Sequence, residues 1–169
     1  LWILVRRDFV ARYQQTILGP AWFVVQPLLM TAVFTAVFAK GLGTKTDQIT
    51  PFLFYLCGML GWGYFANVIG STGSTFTTNA GLFGKVYFPR VIVPAAAVIS
   101  NLVAFGVQTV TYLVVYAGHL LFSDTARAAI HPNLLVLAVL PLLLLQTALF
   151  ALGCGLLISA VSAKYRDLQ

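Results

Sequence analysis

Charge is what this sequence has least of. Only 8% of its 169 residues are charged, with four acids against ten lysines and arginines. A soluble globular domain carries about 25% charged residues. With 60% apolar residues and a mean hydropathy of +0.92, the chain reads as an all-α integral membrane protein. The acids Asp8, Asp47, Asp124 and Asp167 all lie outside the stretches expected in hydrocarbon, and both histidines are expected outside too, His119, close to the end of the third, being the nearer to a span. Carboxylates and histidines inside a membrane are the usual mark of proton relays and ion-coupled transport. Their absence counts against a proton-driven antiporter and a carboxylate-based membrane hydrolase. It also leaves no acid/base pair and no metal-ligand set, so neither catalysis nor a cofactor is expected on this chain. Cysteine is scarce too: Cys57 and Cys154 lie in apolar segments without CxxC spacing, and are expected as buried free thiols. No GxxxxGK[ST] phosphate loop occurs, so ATP cannot be bound in that way. Energy for uphill transport would have to come from another polypeptide. The N-terminus lacks the short apolar core and small-residue cleavage site of a signal peptide. The first residue is Leu1, not Met, so the natural start is expected upstream.

What is present is long apolar runs separated by short basic segments. The spacing predicts a helix over 2–18 lying on the membrane. Trp2, Val5, Phe9, Tyr13 and Ile17 share a face with Ile3 and Val10, opposite Arg7, Asp8, Arg12, Gln14 and Gln15. Arg6 falls on the apolar arc and has to snorkel or pair. Leu18-Gly19-Pro20 ends this helix. Four spans are expected, at about 21–39, 52–78, 94–122 and 133–163, each uncharged and long enough to cross a bilayer. Pro27 is a kink candidate in the first, and Pro94 suits the first turn of the third. Polar loops are expected over 40–50 and 123–132.

Charge asymmetry sets the expected topology. With the N-terminus inside, the inner segments hold Arg6, Arg7, Arg12, Lys85, Arg90, Lys164 and Arg166, and the outer loops hold Lys40, Lys45 and Arg127. Seven against three favours a cytoplasmic N-terminus. The net charge of +6 is not a nucleic-acid signature, because the cations flank apolar runs and face anionic membrane lipid. Between the second and third spans, Phe83, Tyr87 and Phe88 alternate with Lys85 and Arg90, and Pro89 and Pro94 bracket the end. This segment is either a compact amphipathic knob at the membrane surface or an interfacial loop that anchors two helices.

Uncharged polar residues form stripes within the spans. Tyr64, Asn67, Ser71, Ser74 and Thr78 recur at three- and four-residue steps in the second span, and Asn101, Gln108, Tyr112 and Tyr116 do so roughly in the third. Two readings stand: hydrogen bonds between helices, or the lining of a path for a polar, glycan-bearing substrate. Aromatic faces can stack on sugar rings, and hydroxyls and amides can bond them without fixed charge. Ala151, Gly155 and Ser159 make a small-xxx-small face in the fourth span, which reads as helix packing.

The order Arg7-Asp8 … Arg12-Tyr13-Gln14-Gln15-Thr16-Ile17-Leu18-Gly19-Pro20-Ala21-Trp22 resembles the N-terminal signature of polysaccharide-exporting ABC-2 permeases. Gln26-Pro27-Leu28, Lys85-Val86-Tyr87-Phe88-Pro89-Arg90 with Pro94, and Tyr165-Arg166-Asp167 follow in matching order over essentially the whole chain. The resemblance implies a bacterial inner-membrane permease for lipopolysaccharide O-antigen, teichoic acid or capsule, with an undecaprenyl-linked glycan as substrate. It implies an ABC ATPase partner that binds ATP and Mg, and a second copy of the permease. It makes 81–90 a coupling helix seated on that ATPase, with Arg7, Asp8, Arg12, Phe83, Lys85, Tyr87, Phe88 and Arg90 as coupling residues. Tyr64, Asn67, Ser71, Asn101, Gln108 and Tyr112 are the candidates for the substrate path. The family usually has six spans, so the fifth and sixth are expected to be missing from this sequence. Three rival functions remain: an ABC-2 exporter of a drug or simple lipid, a membrane glycosyltransferase or other lipid-modifying enzyme, and a non-transporting scaffold, for which Arg90→Glu would be harmless to export. The second would need acids grouped at one membrane face, and the four here are scattered over both.

Overall fold

A computed structural model describes residues 2–13, 21–44, 46, 49–79, 81, 89, 91–122 and 134–164. Among these residues the architecture is helical without strands, as composition and hydropathy predict. Helix α1 is Trp2–Tyr13, and α2 is Trp22–Phe34, continued by a π-helical turn over Thr35–Gly41. Helix α3 is Pro51–Gly73 and α4 is Thr75–Thr78. Helix α5 is Ile92–Phe122 and α6 is Leu134–Lys164.

Among the described residues four stretches are long and apolar enough to cross a membrane: Trp22–Ala39, Pro51–Gly73, Ile92–Leu121 and Ala138–Ala163. The third takes in His119, expected outside the spans, because the helix runs on through it in its last turn. Hydrocarbon offers no partner to a backbone amide, so each segment has to close its own hydrogen bonds as a helix. Leu142, Leu149, Phe150 and Leu157 on α6 stay exposed. Such apolar exposure costs nothing where the solvent is lipid. Pro27 and Pro141 lie inside α2 and α6, which a membrane helix tolerates better than a soluble one.

The helices form two compact units. The first comprises Leu1–Gln15, Tyr64–Val103 and Leu135–Gln169. Its post is the C-terminal half of α3. On α6, Ala151, Gly155 and Ser159 are buried, so the small-residue face is indeed a packing face. It meets α3 closely enough that a Cβ built on Gly155 would overlap the Thr72 hydroxyl and stand 2.7 Å from the Thr72 Cβ. Phe65 and Phe150 stack with centroids 5.9 Å apart, joining the same two helices. Helix α1 docks through Val5, which is 3% exposed and whose carbonyl accepts from the Ser100 hydroxyl at 3.4 Å.

The second unit comprises Thr16–Gly63 and Ala104–Leu134. Helix α3 starts here with Thr50 as cap and Pro51 as first helical residue, a favoured order because proline lacks the amide that a first turn leaves unpaired. The Thr50 carbonyl accepts from the Phe54 amide at 3.2 Å, and its hydroxyl meets His119 Nε2 at 2.5 Å. The run expected to end at Ala39 instead continues to Gly41 by widening into a π-turn, in which the Leu42 amide reaches back to Val37 at 3.0 Å. Thr44 closes that end, giving its amide (3.1 Å) and hydroxyl (2.7 Å) to the Phe38 carbonyl. Gly43, at φ 64°, provides the left-handed residue this reversal needs. Phe34, Phe38 and Tyr55 form a chain of ring contacts, with centroids 5.5 and 6.1 Å apart.

A candidate coupling face and two polar clusters

The amphipathic helix and the end of the second span meet directly. Arg7 donates to the Asn79 side-chain oxygen at 3.2 Å across 72 residues of sequence. Asn79 is held for this contact by its own amide group, which donates to the Thr75 carbonyl at 3.1 Å. The bond is a charged donor to a neutral acceptor, stronger than a neutral pair. Trp2 and Ile3, on the predicted apolar arc, are 72% and 83% exposed, while Val5 faces protein. Of the side chains described on α1, Val5 is buried against the unit, and bulky apolar Trp2 and Ile3 are left outward.

Asp8 and Arg12 belong to α1, but their side chains lie outside the described residues. So do Phe83, Lys85, Tyr87, Phe88 and Arg90 in the basic segment, and Tyr165, Arg166 and Asp167. Arg7 is therefore the proposed coupling residue whose surroundings are visible. Asn79 was absent from the sequence-based site. It closes the Ser/Thr-rich end of the second span, and its place before the basic segment was the only signal available.

The candidate path residues divide between the units. Tyr64, Asn67, Ser71 and Asn101 belong to the first, Gln108 and Tyr112 to the second. Asn101 is 2% exposed and donates to Ser71 Oγ at 2.9 Å and to the Ala97 carbonyl at 2.8 Å. The Ser71 hydroxyl in turn donates to the Asn67 carbonyl at 2.7 Å. The Asn101 amide group thus links α5 to α3. Asn67 is exposed and Tyr64 buried. In a double-mutant cycle, Asn101→Ala and Ser71→Ala should each destabilise the fold, with a coupling of about 0.6 kcal/mol, the usual size for such a bond between membrane helices. Unfolding in detergent micelles reads it, and additive effects would refute the link.

In the second unit Tyr112 stacks on Tyr116, with centroids 6.1 Å apart and ring planes 17° from parallel. Gln108 is partly exposed one turn before them. An apolar groove of about 510 Å³ also lies in this unit, lined by Val24, Leu28, Val107, Val110, Thr111 and Val114 among others. The Thr111 hydroxyl is already committed to the Val107 carbonyl at 3.0 Å. The groove suits an acyl chain or an apolar side chain and offers nothing to a sugar. Cys57, expected buried, is exposed, and Cys154 is partly exposed; both are free thiols. No group of three or more histidine, cysteine or acidic side chains that could hold a metal occurs among the described residues.

These features define a multi-pass helical membrane protein with a basic N-terminal helix tied to the end of its second span. The chain belongs to the ABC-2 type transporter family, whose sequence model matches residues 1–169. Among curated relatives, the O-antigen export system permease protein RfbA of Klebsiella pneumoniae is 25% identical over 170 residues, covering 99% of this chain and 60% of that protein. A Myxococcus xanthus protein of the same name is 26% identical over 166 residues, covering 98% of this chain and 59% of the relative. The chain thus spans about three fifths of the length of the curated relatives it matches.

Proposed function

We propose that this chain is part of the permease subunit of an ATP-driven exporter that carries a lipid-linked polysaccharide across a bacterial inner membrane. The transporter family and the names of the relatives support an exported O-antigen-like glycan. Teichoic acid and capsule are the other polar polymers that the resemblance allows. The observation that carries the mechanical part is the Arg7–Asn79 bond. It joins the two segments that charge asymmetry assigns to the cytoplasmic face, the N-terminal helix and the start of the 80–90 connection. A partner ATPase, binding ATP and Mg, would press on Lys85–Arg90 and on α1 together, and the bond lets the two respond as one body. A second copy of the permease would complete the path. Within each copy, exposed Asn67 in the first unit and, separately, Gln108 with the Tyr112–Tyr116 pair in the second are the side chains proposed to meet the passing polymer, by hydrogen bonding and ring stacking without fixed charge; buried Tyr64 is withdrawn from that role.

Depleting the full-length protein in its own host tests the reading. The finished polymer should then accumulate on its polyprenyl carrier inside the cell while the surface glycan disappears. Undiminished surface glycan, with altered efflux of a drug or simple lipid, would move the protein to that other branch of the family.

A further inference from the structure

The long helix expected over 52–78 is broken between Gly73 and Ser74, and its surroundings explain the break. Sharp kinks occur at Gly/Ser pairs and where a side chain inserts into the helical hydrogen-bond ladder. Both conditions are met. In an unbroken helix the Phe76 amide would donate to the carbonyl of Thr72, four residues back. Here it donates to Ser159 Oγ on α6, at 3.2 Å. The hydroxyls around the break compete for the same carbonyls, a habit that weakens and bends helices. Thr72 donates to Val68 at 2.6 Å, Ser74 to Gly70 at 3.1 Å, and Thr75 to Ser71 at 2.9 Å. Ser74 itself sits at φ −92°, ψ 1°, between the helical and extended regions. Ser159 reaches the gap because Gly155, one turn earlier, lets α6 lie against Thr72 and Gly73.

We propose that the Gly73–Ser74 break, clasped by Ser159, is a two-position hinge for the segment 75–79 and the helix α1 tied to it. The Phe76 amide has two alternative acceptors, Ser159 Oγ in the bent form and the Thr72 carbonyl in a straight one. Either form keeps that amide bonded, so exchanging them leaves no unpaired donor at Phe76 as a penalty. Gly70 and Gly73 lower the helical preference of this stretch, and the hydroxyl back-bonds give the bent form its own satisfied donors. Asn79 accepts from Arg7 at 3.2 Å, so movement at the hinge carries α1. The consequence for transport rests on the exporter reading: the hinge would turn a push on residues 80–90 into a bend of the second span. Its existence does not depend on that reading.

The test uses the full-length protein in lipid nanodiscs without any ATPase. With Cys57→Ala and Cys154→Ala as background, spin labels at Thr78→Cys and Ala163→Cys report the distance between the end of α4 and the end of α6. Ser159→Ala should shift the ratio of the two distance populations toward the straight form by about fivefold, the worth of one ordinary hydrogen bond. Ser159→Thr, which keeps the oxygen, should restore the parent ratio. Exposed Ser74→Ala, which removes one back-bond without disturbing α6, should shift the ratio the same way and covers the case in which Ser159→Ala fails to fold. In cells, either alanine variant should lower export more than it lowers ATP hydrolysis by the purified complex. One unchanged distance distribution in all variants overturns the hinge and leaves the exporter reading intact. A normal hinge response with no ATPase recovered from cells overturns the exporter reading and leaves the hinge.

Discussion

Gly155→Ala is expected to destabilise the protein by about 1–3 kcal/mol, the cost of forcing one extra carbon into a packed interface. The new Cβ would overlap the Thr72 hydroxyl, and would stand 2.7 Å from the Thr72 Cβ and 3.4 Å from the Gly73 amide nitrogen. Thr72 cannot yield readily, being wholly buried with its hydroxyl bonded to Val68 at 2.6 Å. Gly153 supplies the control. It is exposed, and a Cβ there meets nothing within 4 Å. Gly153→Ala should therefore be neutral or mildly stabilising, since alanine favours helix over glycine. The pair of variants, unfolded in mixed micelles, isolates the close approach of α3 and α6 from general helix propensity. Adding Thr72→Ala to Gly155→Ala should recover part of the loss. Equal stability of the two glycine variants would mean that α6 does not lie on Thr72 as described.

The second large effect is expected from Arg7→Glu. Its guanidinium is the donor in the bond that joins α1 to Asn79, and bonds to charged donors contribute about 1.5–3 kcal/mol. If that bond transmits motion, losing it should reduce export per assembled complex by roughly tenfold or more, because 1.4 kcal/mol corresponds to about a factor of ten. The fold should survive, since Arg7 is exposed. Arg6→Glu carries the same change of charge on the neighbouring exposed residue and should do less. The diagnostic result is rescue: Arg7→Glu combined with Asn79→Lys restores opposite partners and should return much of the export. Failure of the swap, with both single variants impaired, would assign Arg7 a role other than holding Asn79.

Much of this architecture is readable from composition, because lipid narrows the choices. A charge-free run of about twenty residues in a bilayer has one way to satisfy its backbone, so hydropathy alone supplies the spans. The small-residue face on α6 was equally legible, since Ala151, Gly155 and Ser159 recur at one helical face and small side chains are what close packing requires. The break at Ser74 was not. Local sequence shows a Ser/Thr-rich stretch, but the decisive partner is Ser159, 83 residues away from Phe76. The π-turn over Thr35–Gly41 also escaped, because an extra residue in a turn leaves no mark on apolar periodicity.

For the candidate site, periodicity could mark polar faces but not tell bonding from lining. Asn101 and Ser71 share a hydrogen bond between two helices, which is the packing reading, whereas Tyr112 and Tyr116 are partly exposed and stacked on each other. The same pattern of residue types is thus bonded between helices in one place and left partly exposed in another, which periodicity within one helix does not distinguish. The basic segment 82–88 with Arg90 was recognised through its motif, and Arg7 through the same resemblance. The visible geometry adds the tether that connects Arg7 to the end of the second span.

The central claim is that this chain works on energy supplied by a separate ATPase. Gentle affinity purification of the full-length protein from its own membranes, with mass spectrometry of the proteins retained, tests it most directly. The account predicts an ABC ATPase at about equal stoichiometry, lost when Arg90→Glu reverses the charge of the connecting segment. Recovery of the permease without any ATPase, under conditions that keep other membrane complexes whole, would contradict it.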